Sequence, residues 1–106
     1  MAARTPQLIK VEGTEPTFVT PEAGGDTFVN AGQTILEVVN GSGGAITVTI
    51  AASASAQQGY TDSVAIAIDA GDRKVIGPFP PSRFGSTVSV AWSAVTDVTV
   101  AVLKLA

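Results

Sequence analysis

The stretch AITVTIA, residues 45 to 51, alternates apolar and polar side chains without a break. A strand turns successive side chains to opposite faces, so Ile46, Val48 and Ile50 share one side and Thr47 and Thr49 the other. One face belongs in a core and one in solvent. TVSVAWS (87–93) repeats the pattern with Val88, Val90 and Trp92 inward, DVTVAV (97–102) with Val98, Val100 and Val102, and SVAIAID (63–69) with Val64, Ile66 and Ile68. Weaker runs bring the expected strands to seven or eight, near 17–19, 26–29, 34–39, 45–51, 63–69, 73–79, 87–93 and 97–105. No segment carries helical periodicity. Short strands at this spacing predict an all-β single domain, an antiparallel β-sandwich with Ig-like or jelly-roll-like connectivity.

Turn chemistry separates the runs. NGSGG (40–44) supplies the positive φ angles of a tight reversal, so TILEVV and AITVTI are expected to form a hairpin. DAGD (69–72) places Gly71 at a left-handed position, and NAGQ (30–33) is the same device. ASASAQQGY (52–60) is the one long connection, and its small residues read as a mobile crossover between sheets.

The two ends depart from clean alternation. Residues 1–16 carry Leu8, Ile9 and Val11 between Pro6, Gly13 and Pro16, which predicts an extended amino-terminal arm ahead of a sandwich spanning 17–106. An arm of this kind needs a docking surface. Near the carboxyl end, Leu103 and Leu105 fall on the face opposite Val98, Val100 and Val102, which calls for a bulge or for burial on both sides of the last strand.

In IGPFPPSRFG (76–85), proline cannot donate to a ladder, so Pro78 ends the strand and Pro80 and Pro81 keep the chain extended. Two readings stand side by side. Phe79 and Phe84 either cap the open end of the core or, on a stiff loop that loses little entropy on contact, meet a partner.

Composition narrows the function classes. Apolar residues make up 45% of the chain and charged ones 14%, leaving Thr, Ser, Gly, Asn and Ala to cover the surface. Such a weakly solvated surface suits a protein held against a partner. A net charge of −3 with cations dispersed apart from the Arg73–Lys74 pair offers little to a nucleic-acid backbone, so no nucleic acid is expected as a partner. No apolar run approaches a membrane span, and the first residues lack the apolar core of a secretory signal.

Chemistry finds little to work with. Cysteine and histidine are both absent, which removes thiolate catalysis, Ser-His-Asp triads and the usual zinc sites. Asp62, Asp69 and Asp72 do not form a calcium loop and read as turn residues, and the Gly pairs at 24–25 and 43–44 lack the lysine and helix of a phosphate cradle. Glu37 reads as a solvent-facing strand residue, Trp92 as core and Tyr60 as an exposed ring. Ala65 and Ala67 present a face of methyl groups, open to close approach by another subunit or to burial beneath a loop. No catalytic residue, cofactor or metal is expected.

With these residues assembled, the order NAGQTILEVVNGSGGAITVTI, AIDAGDRKVIGPFPPSRF and VSVAWSAVTDVTVAVL resembles small all-β virion proteins of tailed bacteriophages that decorate or cement the capsid. The similarity spans roughly residues 17–105. It implies a β-sandwich on the outer capsid surface, without catalysis, attached to the major capsid protein and often trimeric. The first expected grip is the arm, through Leu8, Ile9 and Val11; the second is the loop of Pro78, Phe79, Pro80, Pro81 and Phe84. The alternatives are another virion subunit, from the tail or head-to-tail connector, and a carbohydrate-binding or adhesin β-sandwich, which calls for more exposed rings than Trp92 and Tyr60.

Overall fold

Alternating runs that hide only one face must find a second apolar layer. A computed structural model shows how they do so; it describes residues 2–30, 33–51 and 63–105, except the side chains of residues 82, 83 and 105. The elements are β1 (Ala2–Arg4), β2 (Gln7–Ile9), β3 (Asp26–Val29), β4 (Thr34–Asn40), β5 (Ile46–Ile50), β6 (Val64–Ile68), β7 (Arg73–Ile76), α1 (Pro81–Phe84), β8 (Thr87–Trp92) and β9 (Val98–Leu105). They form a five-stranded sheet, β1-β3-β8-β5-β6, packed on a four-stranded sheet, β2-β9-β4-β7. The chain is an all-β sandwich.

Phe28, Ile46, Val48, Ile50, Ile68, Val88 and Val90 from the first sheet meet Leu36, Val38, Val98, Val100 and Val102 from the second. Except for Phe28, Leu36 and Val38, these are residues that the period-2 reading turns inward; Val64, Ile66 and Trp92, which it also turns inward, are half-buried against the core. On the opposite face of the five-stranded sheet, register aligns Thr27 with Ser89, Thr49 with Ala91 and Ala65, and Thr47 with Ala67. Ala65 and Ala67 are exposed.

The antiparallel pairings nest. β5 pairs with β6, β4 with β7, β3 with β8, and outermost Val19 bridges Val100 of β9. Successive pairs fall in opposite sheets, as in a jelly roll, whereas an Ig sandwich keeps its first two strands side by side. The expected strand at 17–19 is thus reduced to one bridge in the outermost position.

This connectivity corrects two expectations. β4 and β5 are not a hairpin, because NGSGG carries the chain from one sheet to the other. β5 and β6 are neighbours in one sheet, so the connection after residue 51 is not a crossover between sheets. The ASASAQQGY segment itself, Tyr60, Asp62 and the centre of NAGQ lie outside the described residues.

Asn40 explains why NGSGG crosses over. Its Nδ2 donates to the carbonyls of Gly44 (2.9 Å), Ile68 (3.0 Å) and Asp69 (3.2 Å), while Oδ1 accepts from the Ser42 amide (3.1 Å) and hydroxyl (2.6 Å). One amide therefore ties the β4–β5 and β6–β7 crossings together. The second crossing turns at Gly71, with φ 78 and a bond from the Asp72 amide to the Asp69 carbonyl of 3.0 Å, the type II pattern.

β9 is buried on both faces over part of its length: Ala101 and Leu103 are as enclosed as Val100 and Val102. It has β4 along one edge, with β2 and Val19 along the other. Of the two explanations for the carboxyl-terminal leucines, two-sided burial holds for Leu103.

Candidate functional site

The amino-terminal segment is extended, and its docking surface is the protein's own body. β1 runs parallel to β3 at the edge of one sheet, and β2 runs parallel to β9 at the edge of the other. The link at Thr5 and Pro6 carries one short segment from the edge of the first sheet to the edge of the second. These two strands are too short to show periodicity, which is why the sequence presents them as a bare arm.

Specific side chains hold this strap. Arg4 Nε donates to Asp26 Oδ1 at 2.8 Å, and its Nη2 donates to the Thr20 carbonyl at 3.1 Å. Asp26 is only 2% exposed; its Oδ2 accepts from the Trp92 indole at 2.7 Å and from the Glu22 amide at 3.2 Å. Desolvating a carboxylate is costly, and charge-assisted bonds offset that cost. Trp92 is half-buried rather than fully core, packing on Val48's layer while its N–H reaches Asp26. Further along, the Gln7 amide imitates a strand partner: Nε2 donates to the Thr17 carbonyl (2.9 Å) and Oε1 accepts from the Thr17 amide (2.8 Å).

Between strap and body lies a cavity of about 220 Å³ lined by Arg4, Gln7, Thr17, Val19 and the Val100–Val102 stretch. The strap is pinned at its ends and does not fill the space below. Of the expected contact residues, Leu8 is 40% exposed, Ile9 is half-buried and Val11 is fully exposed.

The proline loop closes the opposite element of the expected site. Phe79 and Phe84 are buried, with ring centroids 5.6 Å apart for Phe28–Phe79 and 5.5 Å for the edge-on Phe79–Phe84 pair. The rings cap the core, so the reading in which they face a partner does not hold for this conformation. Pro78, Pro80 and Pro81 stay exposed. Pro81 opens the single turn α1, where a missing N–H costs nothing. Asn30 fastens the loop from inside, donating to the carbonyls of Phe79 (2.9 Å) and Gly85 (3.0 Å).

Glu37 also departs from expectation. It is 9% exposed and accepts from Arg73 Nε at 3.0 Å, with Arg73 Nη2 on the same oxygen. The pairing of β4 with β7 brings the two side chains together, a register that the sequence alone does not reveal. Among the described residues, no group of His, Cys, Asp or Glu is placed to hold a metal ion. Comparison with protein-family models, curated proteins and solved structures returned no match, so the functional reading rests on the chain's own residues.

Proposed function

We propose that this protein is a structural component of a tailed-phage virion that decorates the outer capsid surface and binds across adjacent subunits of the major capsid protein, as a homo-oligomer with a trimer favoured. The observation that carries the proposal is the contrast between body and strap. A closed β-sandwich with little charge is joined to a short amino-terminal segment bearing Leu8, Ile9 and the fully exposed Val11. The resemblance of the sandwich segments to capsid decoration proteins supports the same reading.

The mechanism follows from linkage. A protein that binds a junction of assembled capsomers, and not separated ones, stabilises the assembled shell by mass action. Several weak grips on one oligomer multiply through effective concentration. Leu8 and Val11 supply the apolar contact, and the exposed Pro78, Pro80 and Pro81 offer a second, stiff one that orders little on binding.

The test is occupancy. Removal of residues 2–12 should leave a folded body that no longer binds capsids, by at least about tenfold, which corresponds to roughly 1.4 kcal/mol. Cryo-imaging of particles with unchanged occupancy would exclude the strap as the grip, and absence of the full-length chain from particles would end the decoration reading.

A further inference from the structure

We infer that β6 is a self-pairing edge: the β6 strands of two copies of this chain meet antiparallel about a two-fold axis at Ile66 and join their five-stranded sheets into one. The inference goes beyond the capsid reading and does not depend on it. It rests on which edge of the sandwich is left open, on the backbone groups that point from it, and on the order of its side chains.

An unpaired strand edge is a template for any other strand, and folded chains blunt it with charge, proline, short length or a covering segment. Three of the four edges carry such devices. β7 bears Arg73 and Lys74 and runs into Pro78, and β1 has only three residues. β2 is closed by the Thr14 hydroxyl, which donates to the Leu8 carbonyl (3.0 Å) and accepts from the Lys10 amide (2.8 Å). β6 is VAIAI, without charge or proline. Its core-facing Val64 and Ile66 are only half-buried although they pack against the core.

The free groups point outward. Thr47 turns its amide and carbonyl toward the β8 side, to the Ser93 hydroxyl (2.8 Å) and the Ser93 amide (3.0 Å). Ala67 stands opposite Thr47 in the β5–β6 ladder, so its own N–H and C=O face away from β5, as do those of Ala65 two residues earlier. Lys74 reaches from β7 to this side and donates to the Ala67 carbonyl at 2.8 Å. Among the described residues it is the one side-chain partner of these groups, and an exposed bond of that kind is worth little against water.

The side-chain order selects a second copy of the same strand. Val64-Ala65-Ile66-Ala67-Ile68 reads nearly alike in both directions. Antiparallel pairing centred on Ile66 therefore sets Ala65 opposite Ala67 of the second copy, Val64 opposite Ile68 and Ile66 opposite itself. Both Ala65–Ala67 pairs then exchange their outward N–H and C=O groups, and the two half-buried Ile66 side chains meet on the core side. Such a contact is isologous and closes on itself as a pair.

Sedimentation of the purified full chain without capsids, from micromolar to millimolar concentration, tests the pairing. The expected result is a reversible monomer–dimer equilibrium that Lys74→Met tightens by about tenfold, because the Ala67 carbonyl is released and a like charge leaves each side of the junction. Ala65→Glu with Ala67→Glu sets like charges opposite one another in both pairs and should weaken the dimer by at least about tenfold, whereas Ala65→Glu with Ala67→Lys sets opposite charges there and should restore it. Both positions are exposed, so neither double variant enters the core. Thr47→Glu with Ala91→Glu adds the same charge to the same face away from β6 and should leave the dimer as it is. A chain that stays monomeric throughout even as Lys74→Met would overturn the inference. So would an association that the two Ala65 and Ala67 double variants change equally, or one abolished by Thr47→Glu with Ala91→Glu. Capsid occupancy is measured separately, so failure here leaves the capsid reading standing.

Discussion

At the scale of single residues, two asparagines organise the ends of the sandwich. Asn40 is fully buried and spends both amide atoms on the two crossings, while Asn30 holds the loop that carries Phe79 and Phe84. Asn40→Asp keeps the shape but sets a carboxylate oxygen against three carbonyls. The other oxygen keeps its Ser42 donors, but the three donated bonds are lost and a buried charge faces carbonyl oxygens, a cost of about 3 to 5 kcal/mol. Urea denaturation at neutral pH should show a loss of that order, large beside the total stability of a small domain. Little of this was legible beforehand. The Asn-Gly pair signals a reversal, but a turn signal does not say whether the next strand joins the same sheet or the facing one. Glu37 was misread for the same reason, since its cation sits 36 positions away in the chain and meets it only through register.

At the scale of elements, the strands were the legible part. Alternation marks β4, β5, β6, β8 and β9 to within a residue or two, because burial of one face imposes the period of 2. β1 and β2 were invisible for want of length, and β7 is shorter than the run RKVIGPF implies because Gly77 turns the chain. Gly77 has φ 120, and a Cβ there would stand 3.0 Å from the Thr34 carbonyl oxygen. Gly71 has φ 78 but open space around it. Gly77→Ala should therefore cost about 2 to 4 kcal/mol, combining backbone strain with a backbone clash, against about 1 to 2 for Gly71→Ala, which bears strain alone. Thermal melts of the two variants measure the difference, and equal losses would show that the close approach at Gly77 relaxes freely.

At the scale of the whole molecule, a closed core and a separable strap predict how the protein unfolds. Deleting residues 2–9 should lower the denaturation midpoint while leaving one cooperative transition, since no core side chain is removed. The loss should be about 1 to 3 kcal/mol, chiefly the charge-assisted bonds of Arg4 and the short ladders. Tryptophan fluorescence follows it directly, because Trp92 shares Asp26 with Arg4. A truncated chain that unfolds in two steps, or not cooperatively, would show the strap to be integral to the body.

The outer face of the five-stranded sheet has a further consequence. Its described outward positions, among them Ala3, Thr27, Thr47, Thr49, Ala65, Ala67, Ser89 and Ala91, bear no formal charge. These positions add no side-chain charge to the face, and the Lys74 ammonium reaches only its β6 edge, at the Ala67 carbonyl (2.8 Å). Two copies set with these faces together put no charged side chains of the named positions opposite one another, and charges farther apart than about 8 Å are largely screened in physiological salt. Close packing on this face therefore meets little direct charge repulsion from the face itself.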